Sequence, residues 1–223
     1  RTTAICWRWG TAHCWTGGIS NTFSYRSLSL SFLIDASVGG SIFSNTNKTG
    51  KYTGVLANTL SGRDAEHGGL WYYTDAMGNN VRLPESPSYS VSSDGLYYAQ
   101  VNGQSTRVYQ DGIMVEGVTE SGSKNEEVVS AEKYYHRIYS IAEANVYDAS
   151  YVKLREVALS YRLPRLWTQK LHLQEASVTL TGRNLWTIYK SVPNIDPESA
   201  LTTGNAQGVE AYSLPTTRSF GVN

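Results

Sequence analysis

The residue types that most often carry catalysis are scattered along this chain. Its histidines are His13, His67, His136 and His172, and none forms HExxH or another close ligand pair. His67 stands in RDAEH near Asp64 and Glu66, a spacing that reads as a solvated loop cluster rather than a metal site. Ser121 and Lys124 satisfy SxxK, but they sit in the turn-rich stretch SGSKNEE with no helix after it, so chance is the favoured reading. There is no nucleophile elbow, P-loop or dinucleotide fingerprint. Asp196 and Glu198 are spaced like paired carboxylates, yet Pro197 between them at the exit of a strand favours a structural turn. The cysteines, Cys6 and Cys14, have no CxxC or Cys/His spacing that would bind zinc. The expectation is a chain with no catalytic residues, no metal and no cofactor, which weakens the reading as a fragment of a secreted hydrolase.

Binding chemistry is a better prospect. Trp71-Tyr72-Tyr73, Tyr97-Tyr98 and Tyr134-Tyr135 cluster in loop-like sequence. Sugar rings present apolar CH faces that stack on such side chains, and nearby carboxylates and amides fix the hydroxyls. Asp75, Asn79 and Asn80 follow the first cluster. Trp71, Tyr72, Tyr73, Asp75, Tyr97 and Tyr98 are therefore candidate ligand contacts, with loop packing the favoured alternative.

The composition narrows the class. The chain has 223 residues, enough for one large or two small domains with a sizeable core. Lys plus Arg and Asp plus Glu both count 19, so no basic excess calls for nucleic acid. Charged residues make up 17%, below the roughly 25% usual in soluble domains. The 16 Tyr and 6 Trp outnumber 4 Phe, and those are the rings that place an apolar body beside a wet tip. There is no run of about 18 apolar residues, hence no transmembrane helix, which leaves a membrane barrel open. Arg1 to Gly10 has no apolar signal-peptide core.

The elements that would position these residues are strands. In LSLSFLIDASV, Leu28, Leu30, Phe32, Ile34, Ala36 and Val38 share one side, while Ser29, Ser31, Leu33, Asp35 and Ser37 share the other. Trp15 to Tyr25 alternates likewise, and Arg26-Ser27 reads as the turn of a hairpin. From Ser44 to about Val146 periodicity fades, with short strands and a helix near Ser130 to Ile141 expected inside. In YDASYVKLREVALSYRLP the apolar parity switches near Arg155-Glu156, the mark of a bulge. Pro164 ends that strand, Arg165 to Leu171 forms helical turns, Ala176 to Tyr189 is the next strand, and Thr216 starts one more. Short and long connections alternate, as between the two rims of an outer-membrane barrel. A soluble sheet with Ser and Asp on its exposed face shows the same periodicity.

In order, WTGGISNTFSY, LSLSFLIDASVGGSIF, YDASYVKLREVALSYRLP, LTGRNLWTIYKSVPNIDPE and LPTTRSFGVN resemble the C-terminal part of SusC/RagA-type TonB-dependent receptors of the Bacteroidota outer membrane. The resemblance spans Trp15 to Asn223, and its most specific pieces are YVKLREVALSY with LP, and GRNLW with DPE. It implies an all-β fold, a partial antiparallel transmembrane β-barrel supplying about the last five of 22 strands, with long extracellular loops. Residues 15–223 would be that barrel part, with a long extracellular loop at about 44–146. The parent would import oligosaccharides, or peptides, with a SusD-like surface lipoprotein, and would be driven by the TonB complex through a plug and TonB box that this chain does not contain. Its setting would be outer-membrane lipid. Gly182, Arg183, Asn184, Asp196, Pro197 and Glu198 would be structural motif residues, and Arg183 would face the lumen. Tyr25, Tyr161, Trp167, Trp186 and Tyr189 would be interfacial girdle residues. Residues 1–14 depart from the pattern and read as a shifted frame or misplaced start, and the ending SFGVN falls short of the usual terminal aromatic. The alternative is a soluble, secreted β-sheet glycan-binding module.

Overall fold

The computed structural model describes residues 14–84, 86–170, 173–200 and 207–223. The segment expected to carry a shifted frame lies outside them except for Cys14, as do His13 and His172. The strands in chain order are β1 (Trp15–Tyr25), β2 (Leu28–Val38), β3 (Ser41–Ser44), β4 (Leu70–Thr74), β5 (Asn80–Arg82), β6 (Tyr89–Val91), β7 (Tyr97–Val101), β8 (Gln104–Met114), β9 (Val128–Ser130), β10 (Val146–Asp148), β11 (Tyr151–Arg162), β12 (Ser177–Lys190), β13 (Val209–Glu210) and β14 (Ser219–Val222). The helices are α1 (Asn45–Tyr52), α2 (Ala131–Ser140) and α3 (Arg165–Lys170). The chain divides into two compact units, one of residues 1–47 with 145–223 and one of residues 48–144.

The first unit is built on an antiparallel sheet of five strands in the order β1-β2-β11-β12-β14. The β1–β2 hairpin turns at Arg26, whose φ is +53°, a left-handed conformation a tight turn requires. Register carries the alternation from strand to strand. Phe32 stands opposite Val157, Leu30 opposite Leu159, and Leu159 opposite Leu180. On the other face, Ser31 stands opposite Ala158 and Ser29 opposite Ser160, whose hydroxyl shares a 2.8 Å hydrogen bond with Thr179. One face is therefore Ile, Leu, Val and Phe, and the other is mostly Ser, Thr, Gly and Ala. The apolar face is open: Ile19 is 67% exposed, Leu180 52% and Phe220 80%.

The parity switch in β11 is a bulge, as expected. Pairing skips Arg155 on both sides, so that Leu154 and Glu156 face consecutive partners in β2. Arg155 shares the Lys153 side of the strand by ordinary alternation, and the extra residue here turns Glu156 to that same polar face, where it meets Arg183. Where the strands end, a smaller sheet β10-β3-β13 takes over. Ile42, Ala149, Val192, Ile195 and Ala200 form a buried apolar cluster there.

The second unit holds the short strands expected between Ser44 and Val146, and they pair into a sheet. It is a sheet in the order β5-β4-β8-β7-β6, with β9 also on β8, closed over a core of Trp71, Ala99 and Val108. The expected helix is present as α2, and the Ser130 hydroxyl caps it by accepting from the Lys133 N–H at 3.3 Å.

Candidate functional site

The densest polar chemistry lies on the polar face of the five-stranded sheet. Lys153 Nζ donates to Asp196 Oδ1 and to Glu198 Oε2, both at 2.6 Å. Arg155 donates to Asp35 Oδ2 through Nε at 2.8 Å and Nη2 at 2.7 Å, and to both oxygens of Glu198. The Tyr151 hydroxyl donates to Glu198 Oε1 at 3.0 Å. The Lys153 side chain is only 3% exposed and that of Asp196 8%. Three carboxylates thus hold two cations, the Lys153 end buried and the Arg155–Asp35 end partly exposed.

Each member is placed by local sequence. β2 alternation aims Asp35 at the polar face, β11 alternation aims Lys153 and Arg155 at it, and the turn after Ile195 aims the two acids. In that turn Asp196 Oδ1 accepts from the Glu198 N–H at 3.0 Å. Pro197 opens the short 3-10 turn Pro197–Ala200, where its missing N–H costs nothing. Burial alone would raise the Asp196 carboxyl. Hydrogen bonds from Lys153, Thr216 and the Glu198 N–H outweigh it and hold the group at about 2. Burial likewise raises Glu198, and its bonds to Arg155 and Lys153 bring it below its ordinary value.

The GRN motif completes the surroundings. A Cβ on Gly182 would meet Leu185 Cδ2 at 2.9 Å. Arg183 faces the polar side, and its Nε donates to Glu156 Oε2 at 3.0 Å, with side-chain exposures of 66% and 39%. Asn184 takes φ +51° at the irregular stretch of β12, a conformation Asn tolerates, and its amide donates to the Thr217 carbonyl at 3.2 Å. A second buried carboxylate, Glu210, accepts from the Ser44 and Thr46 hydroxyls and the Ser213 N–H, which offset its burial and hold it below its usual value.

The aromatic candidates separate by burial. Trp71 and Tyr72, 7% and 4% exposed, are core side chains. Trp71 stacks on Tyr89 at 5.1 Å and makes a perpendicular contact with Tyr97 at 5.7 Å, so ring neighbours already take up its surroundings. Tyr72 stacks on Tyr109, and its hydroxyl donates to Asp111 at 3.2 Å; burial and that carboxylate push the phenol up. Tyr73 packs half-buried on the core, and Tyr98 is half-buried. Asp75 accepts from the N–H groups of Met77 and Asn79 at 2.9 and 2.8 Å, which makes it the turn former between β4 and β5. Within this unit a cleft of about 420 Å³ lies elsewhere, among Tyr52, Arg63, Asp111, Glu132, Tyr135 and His136. His67 pairs with Asp64, its Nδ1 2.8 Å from Oδ1. No group of three or more possible metal ligands occurs among the described residues.

No family profile matches the chain. Over 86 residues, 36% of the chain, it is 34% identical to TonB-dependent receptor P3 of Formosa agariphila. That match occupies 8% of the receptor, so the chain spans a small part of the relative it matches. The likeness bears out the resemblance read from the strand motifs: the chain is similar to TonB-dependent receptors. Among solved structures, the RagAB peptide importer in its closed-closed and open-open states aligns with 93% of this chain and 16% of its own, at 18% identity and TM-scores of 0.42 and 0.43.

Proposed function

We propose that this chain is the C-terminal barrel part of a SusC-like, TonB-dependent outer-membrane importer, and not an enzyme. The single observation that carries the reading is the two-faced sheet. Strands of 11, 11, 12 and 14 residues are each long enough to cross a bilayer when tilted. Their apolar face is open, and their polar face is made of small side chains. In water that apolar face would be a large exposed patch, which argues against a soluble secreted module. In lipid it is the outer wall, and the small polar face lines a hydrated interior. Tyr25 and Tyr161 lie at one end of the band and Trp186 and Tyr189 at the other, all exposed, where interfacial girdles belong.

In this reading the barrel has 22 strands, residues 48–144 form an extracellular module, and a SusD-like lipoprotein and the TonB complex are partners of the intact receptor. The cargo is a glycan, with a peptide as second choice. The test is to express the full receptor and a version lacking this chain, then to fractionate membranes and follow growth on single glycans and peptides. Outer-membrane location with loss of growth on one glycan supports the reading. Recovery in the soluble fraction defeats it.

A further inference from the structure

The connection between β12 and β14 does not resemble a free outer loop. From Ser191 to Ala200 it is fastened almost residue by residue. The Ser191 N–H donates to the Ser150 carbonyl at 3.0 Å. Asn47 Nδ2 donates to the Pro193 carbonyl at 3.0 Å, and Asn194 Nδ2 donates to Asn47 Oδ1 at 2.8 Å. Lys190 Nζ donates to the Ile195 carbonyl at 2.8 Å. Val192, Ile195 and Ala200 are buried with Ile42 and Ala149. Asp196 and Glu198 then take Lys153 and Arg155 on the polar face of β11, and Arg155 continues to Asp35 of β2. The connection is drawn over the polar face and not away from it.

Ordering this segment opposes backbone entropy at every residue, so a segment fixed this thoroughly is a structural member and not a swinging loop. The buried ion network adds an all-or-none character, because removing one partner strands the others.

We propose that residues 191–200 form a fixed brace on the polar face, held by Lys153 and Arg155, and that this brace limits the size of cargo passing along that face. The proposal rests on the barrel reading above. It goes beyond it by assigning size selection to a particular segment and its two anchoring cations.

The test uses the full receptor in cells, with two readouts: hydrogen exchange of residues 191–200 in the purified receptor, and cell sensitivity to vancomycin as a bulky probe. In the wild type, 191–200 exchanges as slowly as β11. In the K153M/R155M double variant exchange there rises and vancomycin sensitivity increases severalfold, while β12 stays protected. Glu198→Gln, which keeps the side-chain volume, produces a smaller change in the same direction and serves if the double variant does not fold. Arg162→Gln, at the exposed pair with Glu175, leaves both readouts unchanged. Fast exchange of 191–200 in the wild type overturns the brace, as does a released brace with unaltered sensitivity. A receptor missing from the outer-membrane fraction overturns instead the barrel reading beneath it.

Discussion

Lys153 Nζ lies 2.6 Å from Glu198 Oε2, although 45 positions of chain separate the two residues. The contact joins the middle strand of the sheet to the turn beyond its neighbour. Its worth lies in what happens when it is broken. A buried ion pair contributes little net stability, but one stripped of a partner leaves an uncompensated charge.

Lys153→Met should therefore destabilise the unit built on the five-stranded sheet by about 3–5 kcal/mol, since Asp196 and Glu198 would both lose their shared cation. Arg183→Met should cost about 0–1 kcal/mol, because its pair with Glu156 is largely exposed. Urea titration of the detergent-solubilised receptor, followed by Trp fluorescence, checks both.

The network also sets an acid limit. The Asp196 carboxyl is lowered from 3.8 to about 2, so its contribution is present above its unfolded value and is lost as pH falls from about 4 toward 2. The shift corresponds to about 2 kcal/mol. Asp196→Asn should remove that part of the acid dependence and lower stability at neutral pH. Unfolding midpoints measured from pH 7 to 2.5 for both proteins show whether the curves converge at the acid end.

The two faces of the sheet should respond oppositely to charge. Leu159→Arg on the apolar face should cost about 2–4 kcal/mol if that residue sits near mid-bilayer. Ser31→Arg, on the other face of neighbouring β2, should cost far less. Refolding yield of the receptor into phospholipid vesicles compares them directly. Equal yields would contradict the assignment of faces.

Trp71→Ala should destabilise the unit of residues 48–144 by about 3–5 kcal/mol, as expected for removing a buried ring. Tyr98→Ala, half-buried, should cost less. Limited proteolysis of the receptor reads this as new cleavage within 48–144 for the first variant and little for the second. A Trp71→Ala receptor that resists protease but loses ligand would restore Trp71 as a contact residue.

The long strands were readable because period-two alternation over eleven residues is a strong local signal. β2 and the bulge at Arg155 announced themselves in this way. Ser130 announced α2 through its capping chemistry. The unit of residues 48–144 was not readable as a fold, because β5, β6 and β9 have three residues each, too few for a period to develop, and the eleven residues of β8, QSTRVYQDGIM, are mostly polar and do not alternate. The ion network was missed for another reason. Asp196 and Glu198 stood out as a pair, but Asp35 lies 120 positions from Arg155, and nothing local joins them. The available hint was an Asp on the small polar side of β2 and two cations in one strand. For Trp71 and Tyr72 packing was the favoured of the two readings, and the surrounding short strands close over them, which loop-like flanks did not announce.

One further consequence follows from the pairing of β3 with β10. Phe43 stands opposite Val146 and Ser41 opposite Asp148, so the chain leaves for residues 48–144 and returns from them through a single antiparallel neck. Asn47 and Asn145, flanking that excursion, are both fully buried. A neck of this kind asks only that its two stems meet, and closure entropy rises slowly with the length between them. Doubling the excursion from its present length would therefore add only about 0.6 kcal/mol of closure cost at the stems.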